Sequence, residues 1–272
     1  MKKAMVLFAV LILICTAAAG GCADGVHFFE NVRMTDSSLG ESHAAILDRQ
    51  GNLYLWDYSD DEPALLCQLP VYEISISYYD ADGDELDLFE SAVINIVDGE
   101  GMLYGINPFA GRIGTIDENG IAWTVSFDSS ALIRDNGWQY WYGAKLIHDG
   151  AMYLLINDDY EDQRKVIRID LSTGETDLFD APYAVNMCFQ GEKLLLTVLP
   201  VNDIGDATGD PSLVEMDPHT GEMLTLPQRL PAGTRWMSSM DATDDAVYVA
   251  VDGSILISRG GEDFEALQDS SP

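Results

Sequence analysis

The sequence predicts an all-β fold, a β-propeller of about five four-stranded blades, on three observations. A strand, a glycine-containing turn and a second apolar strand recur at nearly regular intervals along the chain. Short runs alternate apolar and polar residues, as in Lys165-Val166-Ile167-Arg168-Ile169-Asp170-Leu171 and Ser75-Ile76-Ser77-Tyr78. No stretch after residue 22 carries the apolar stripe of an amphipathic helix. Five blades make a small propeller or, equally, the front part of a larger one.

Residues 1–22 read as a secretion signal. Met1-Lys2-Lys3 supplies a positive start, an apolar run extends from Ala4 to Ala19, and Gly20-Gly21-Cys22 ends it with small residues. The run is shorter than the roughly 20 residues that span a bilayer core, which favours cleavage over a retained anchor. Ala19-Gly20-Gly21-Cys22 resembles a lipobox, with Ala19 where a leucine is commoner, and that resemblance implies a lipid on the Cys22 thiol. Ordinary cleavage after Ala17-Ala18-Ala19 would instead release a soluble protein. Lipidation would hold the chain at the extracytoplasmic face of a membrane, since each buried methylene contributes about 0.8 kcal/mol.

The chain beyond residue 22 is expected to fold. Of the 272 residues, 47% are hydrophobic and 10% aromatic, which supports a sizeable core and argues against disorder. The formal net charge of −32 includes Lys2 and Lys3, so the processed chain is more acidic still. Such a surface repels nucleic acid and anionic lipid. Residues 23–42 read as a linker or a closing strand, with Val26 to Val32 a candidate to complete the blade ending near Leu267, and 43–272 as the propeller domain.

The recurring unit appears as Ala45 to Trp56, Val97 to Tyr104 and His148 to Leu154, then more weakly as Gln190 to Leu195 and Asp244 to Val249. Aligned on Tyr54, Tyr104, Tyr153, Leu194 and Tyr248, the copies lie roughly 40 to 55 residues apart, about one propeller blade each. A second element, Asp170-Leu171-Ser172-Thr173-Gly174-Glu175, returns as Asp217-Pro218-His219-Thr220-Gly221-Glu222 and in decayed form as Asp117-Glu118-Asn119-Gly120. Asp opens such a turn by binding backbone N–H groups, and Gly supplies the positive φ that reverses the chain. No helix follows to present free amides, so these are hairpin turns and not phosphate loops.

The Asp-x-x-Thr-Gly-Glu turn and the Gly-x-x-Tyr hairpins resemble the repeats of bacterial PQQ-like and related β-propellers, over most of Ala45 to Glu265. The resemblance implies a propeller and does not extend to quinone binding. Those repeats carry a tryptophan soon after the glycine, whereas Thr176 and Met223 follow the glutamates here.

Candidate sites come from loops. Arg134, Trp138, Tyr140, Trp141 and Tyr142 cluster between the second and third units, and other crossovers carry Tyr78-Tyr79, Tyr183 and Arg235-Trp236. Aromatic faces stack on sugars or peptides while guanidinium groups fix orientation, although wedging between blades as core accounts for the same aromatics. Asp80, Asp82, Asp84 and Asp87 alternate as in a Ca²⁺ loop, but Glu85 stands where such a loop needs glycine and Ser91 where it needs a bidentate acid. A polar hairpin turn between Tyr79 and Leu86 explains the same residues without metal. Cys67 and Cys188 suit either one disulfide or two buried thiols. The four histidines are dispersed, and no Gly-x-Ser-x-Gly or nucleophile-histidine arrangement marks an enzyme.

These readings converge on a non-enzymatic binding or protein-interaction module with no organic cofactor, displayed outside the membrane for a protein, peptide or glycan partner. The alternatives are the propeller portion of a transport-associated or envelope-assembly lipoprotein, and a propeller hydrolase or lyase acting on glycans or lactones. Fold alone does not choose among them.

Overall fold

The computed structural model describes residues 34–40, 42–79, 85–133, 141–157, 164–200, 208–234, 237–251 and 254–267, with the backbone alone at 34–35, 72–79, 85–93, 141–143 and 157. Two compact units, Met1–Gln139 and Tyr140–Pro272, divide the chain.

In the first unit, β1 (Met34–Leu39), β2 (His43–Asp48), β3 (Asn52–Asp57) and β4 (Ala64–Gln68) pair in sequence order as an antiparallel sheet. A two-stranded ladder follows, β5 (Val71–Tyr79) with β6 (Glu85–Val93). The second sheet is built from β7 (Asn95–Gly99), β8 (Met102–Asn107), β9 (Arg112–Asp117) and β10 (Gly120–Ser126), and the 3₁₀ turn Ser130–Leu132 comes after it. The second unit holds three sheets of the same kind. They are β11 (Trp141–His148), β12 (Ala151–Asn157), β13 (Lys165–Asp170) and β14 (Thr176–Asp180); β15 (Ala184–Gln190), β16 (Lys193–Val198), β17 (Ser212–Met216) and β18 (Met223–Arg229); and β19 (Met237–Thr243), β20 (Ala246–Val251), β21 (Ser254–Arg259) and β22 (Glu265–Ala266). Five four-stranded antiparallel blades are the expected class, a five-bladed β-propeller.

Burial explains which strands read clearly. The second strands β8 and β16 are buried at every position after the first, and β12 from Ala151 to Ile156, because both their faces are covered. Fourth strands are mostly exposed or half-buried instead, and β10 alternates from Ile121 to Ser126. Within each unit, cores lie between consecutive blades. Leu47, Leu53, Leu69, Ile94 and Ile96 meet between the first two, Tyr153, Val166, Leu194 and Leu196 between the third and fourth, and Leu195, Leu213, Val249 and Leu256 between the fourth and fifth.

The repeated turns form as expected. Asp170 Oδ1 accepts from the Ser172 and Thr173 N–H groups at 2.9 and 2.8 Å, and Asp217 Oδ1 from those of His219 and Thr220 at 2.8 and 2.9 Å. Gly221 closes its turn at φ 73°, and a Cβ there would stand 2.6 Å from the Phe179 ring.

Several expectations are corrected or refined by the structure. The unit Ala45 to Trp56 is the hairpin of the second and third strands, β2 and β3, whereas the other four copies are first-and-second hairpins. Alignment on Tyr54 therefore slips by one strand, because the Asp48-to-Gly51 turn imitates the first-hairpin turn. Tyr78-Tyr79 stand at the far end of β5, paired with Leu86 and Glu85, inside an inserted hairpin. Cys67 and Cys188 are free and buried, and burial pushes both thiols up. The first sheet begins at Met34, inside the stretch read as a linker or closing strand, and the last takes its fourth strand from Glu265–Ala266. Val26 to Val32 lie outside the described residues, as does Cys22.

Candidate functional site

An up-and-down blade has two unlike ends. The first-to-second and third-to-fourth hairpins turn at one end. At the other lie the second-to-third connections and the links from each fourth strand to the next first strand. All four inter-blade links carry predicted aromatic residues: 69–94, 127–140, 181–183 and 230–236. The first of them, 69–94, holds Tyr78-Tyr79 within the β5–β6 ladder.

The link 181–183 is the best defined. The Ala184 N–H donates to the Ala181 carbonyl at 3.0 Å, so the turn closes on itself, and the Leu199 N–H donates to the Tyr183 carbonyl, also at 3.0 Å. Tyr183 sits at φ 61°. A side chain in that left-handed region is strained by about 1 kcal/mol or more, and glycine would be free of the strain. The phenol is half-buried and packs against the cluster that includes Ala151, Tyr153 and Leu196. Arg164 comes from the second-to-third connection of the preceding blade. Its guanidinium donates to the Ala184 carbonyl at 2.5 Å, while its own carbonyl accepts from the Ala181 N–H at 2.8 Å. One turn thus joins an aromatic ring to an arginine from the neighbouring blade at the start of β15.

The other predicted residues divide by position. Trp141 and Tyr142 open β11, opposite Asn157 and Ile156, immediately before a register shift ending at Ala144. Arg134, Trp138, Tyr140, Arg235 and Trp236 lie outside the described residues, as do Asp80, Asp82 and Asp84. Asp87 is a strand residue of β6, paired with Ser77. Among the described residues, no group of three or more His, Cys, Asp or Glu is placed to hold a metal, and no helix is long and apolar enough to cross a membrane.

Sequence reasoning missed Arg164 and a set of polar residues on the first strands. Register shifts at Met34/Asp36, Tyr142/Ala144, Ala184/Asn186 and Met237/Ser239 mark a bulge near the start of four first strands. Bulges add twist and re-aim the residue that follows. Two of those residues reach the next blade: Asp36 Oδ2 accepts from the Ile96 N–H at 2.7 Å, and buried Asn186 Nδ2 donates to the Met237 carbonyl at 2.8 Å. The sequence signal was a polar residue four positions before the hairpin: Asn186 before Gln190, Ser239 before Thr243 and Asn95 before Gly99.

At the hairpin end of the blades, His43 Nε2 stands 2.9 Å from Asp98 Oδ2 across the first two blades. In the second unit the His148 ring stacks on Phe189 at 3.9 Å, and Gln190 Nε2 donates to the Thr243 carbonyl at 2.9 Å. These contacts join neighbouring blades.

The sheets define the chain as a β-propeller protein. No protein-family model matches the chain, and no curated protein matches it either. Among solved structures it is similar to PorZ, an essential bacterial surface component of the type-IX secretion system of Porphyromonas gingivalis, with 13% identity and a TM-score of 0.49. That likeness covers 88% of this chain and 28% of PorZ. It is also similar to YCF48 bound to D1 peptide, with 14% identity and a TM-score of 0.49 over 87% of this chain and 67% of the other. A third likeness is to a chain of the nidogen/laminin complex, with 9% identity and a TM-score of 0.48 over 83% of this chain and 75% of that one. All three stop at general fold, so the class rests on the blades themselves.

Proposed function

We propose that the chain is a lipid-anchored, extracytoplasmic β-propeller that works as a non-enzymatic protein-interaction module, binding an extended peptide segment at the aromatic links. The observation that carries this reading is Tyr183. A tight turn needs no bulky side chain, yet this one holds a phenol at positive φ, and a guanidinium from the preceding blade donates to the carbonyl of the next residue, Ala184. Strain held at such a position is a mark of sites where the side chain is used. Trp141 and Tyr142 start β11, the first strand next to β15, and the sequence places Arg235-Trp236 immediately before β19. The secretion signal and lipobox-like cysteine support the location, and the acidic surface argues against nucleic acid and anionic lipid as ligands.

A thermal-shift screen of the chain from Ala23 onward, against extended peptides and oligosaccharides, tests the reading. A ligand that binds the native state raises Tm by mass action. The expected result is a rise with peptides that is lost in both Trp141→Ala and Tyr183→Ala. A rise with oligosaccharides alone would make this a glycan-binding propeller, and no rise with either class would remove the aromatic links as a site. Labelling cells with a radioactive fatty acid tests the anchor, with incorporation expected in the native chain and none in Cys22→Ser.

A further inference from the structure

The link 69–94 carries an element outside the five blades. Its two ends are set in the first unit's core, with Leu69 and Ile94 only 2% and 1% exposed. The Leu69 N–H also donates to the Gly51 carbonyl at 2.7 Å. Between these anchors β5 and β6 pair without a break, from Val71 opposite Val93 to Tyr79 opposite Glu85. The sheet they form has two strands among the described residues.

Residues paired directly share one side of a ladder, and successive residues alternate sides. On β5, Tyr72, Ile74, Ile76 and Tyr78 therefore share a side with Leu86, Leu88, Ala92 and one acid, Glu90, while Glu73, Glu85 and Asp87 fall on the other with serines, Val71, Tyr79, Phe89 and Val93. A two-stranded ladder is marginal in water, and a third strand that extends its apolar side makes it an independently stable sheet. The charge nearby is of one sign: no Lys, Arg or His occurs between Arg49 and Arg112.

We propose that the β5–β6 ladder is a docking edge for an extended cationic segment of another protein. The segment alternates apolar residues with Lys or Arg and adds as a third strand. Added beside β5, its apolar residues fall on the side of Tyr72, Ile74, Ile76 and Tyr78, and its cations on the side that holds Glu73, Glu85 and Asp87. A second copy fits poorly. Pairing two such ladders sets like charges opposite each other, and one ladder side offers roughly 300 Å², against the about 800 Å² per partner of a standard interface. This site is separate from the aromatic links, and each can fail without the other.

Fluorescence anisotropy with a labelled, alternating Lys-Val peptide of about ten residues tests it, with a block isomer of the same composition and a Glu-Val peptide as controls. The protein is the chain from Ala23 onward, compared with Ile76→Lys and with a variant in which 71–93 is replaced by Gly-Ser-Gly. Val71 and Val93 are paired, so that short linker closes the gap. The alternating peptide should bind at least about tenfold tighter than its block isomer, and both variants should lose about tenfold or more. Equal binding of the two isomers, or unchanged binding after excision, would reduce the effect to general attraction by an acidic surface and overturn the proposal. Concentration-dependent dimerisation abolished by Ile76→Lys would overturn it in favour of a second copy. If the excised variant does not fold, Ile76→Lys decides alone: a loss of about tenfold upholds the docking edge, and unchanged binding overturns it.

Discussion

The two ends of the blades follow different rules. At the hairpin end, turns are short and alike: Glu100-Gly101 and Asp149-Gly150 both reverse the chain with two positive φ angles, and the Asp170 and Asp217 turns repeat nearly bond for bond. At the other end the four inter-blade links differ in length. The link 181–183 is a single strained turn, whereas 69–94 has grown into a nine-pair ladder between buried anchors. A turn that must return the chain to an adjacent strand has few solutions, so its chemistry repeats. A link between blades is constrained only where it enters the core, and the chain between those points is free to serve a partner.

If the core sets the fold and the links set the function, the largest effects on stability belong to the core. Leu196→Ala removes a side chain with no exposed surface from the cluster between the third and fourth blades, and should cost about 2–5 kcal/mol in urea unfolding. Excising 71–93 should shift the midpoint far less, although it removes many more atoms. The opposite order would make the ladder part of the scaffold and break the comparison. Asn186→Ala comes next. It leaves the buried Met237 carbonyl without its 2.8 Å donor, and should cost about 1–3 kcal/mol by the same measurement.

The same asymmetry explains what the sequence made legible. Five units and their turns were readable because glycine and aspartate occur where backbone geometry demands them, as at Gly174 and Gly221. The slip at Tyr54 arose because Asp48-Arg49-Gln50-Gly51 sets the same residue types, an acid and then a glycine, in the wrong hairpin; the Asp48 side chain accepts from the Gln50 and Asn52 N–H groups. At the other end, Tyr183 was found as an aromatic, but its positive φ was not, since no glycine marked it. Arg164 was missed because its partner, the Ala184 carbonyl, lies on the next blade. The ladder was missed as an insertion because its alternation looks like that of any blade strand.

A smaller effect isolates the strain at Tyr183. Glycine in place of alanine normally destabilises a residue in regular structure, but at φ 61° the order should reverse. Tyr183→Ala loses the packing and keeps the strained backbone, and Tyr183→Gly loses the same packing and releases the strain. The glycine variant should therefore be more stable than the alanine variant by about 1 kcal/mol, read from paired urea curves. Equal stability would mean that the turn relaxes when the ring is removed, and that the ring itself forces the geometry.

The smallest effect lies at the hairpin end and depends on pH. The Ser172 hydroxyl, at 2.6 Å, and the N–H groups of Thr173 and Ser172 hold the Asp170 carboxyl well below the usual carboxylate range. The N–H groups of His219 and Thr220 lower that of Asp217. A carboxyl whose folded value is depressed stabilises the fold above its unfolded value, about pH 4, and that contribution fades as pH falls from there toward the folded value. Asp170→Asn and Asp217→Asn should therefore lower Tm at neutral pH, and the gap to the native chain should narrow below about pH 4. Both turns are exposed, so the gap will be small even at neutral pH. A gap that stayed constant with pH would mean that the amide serves the turn as the carboxylate does, leaving the glycines to fix the hairpin end. The link 181–183 holds no carboxyl, and Tyr183→Ala should lower Tm equally on both sides of pH 4.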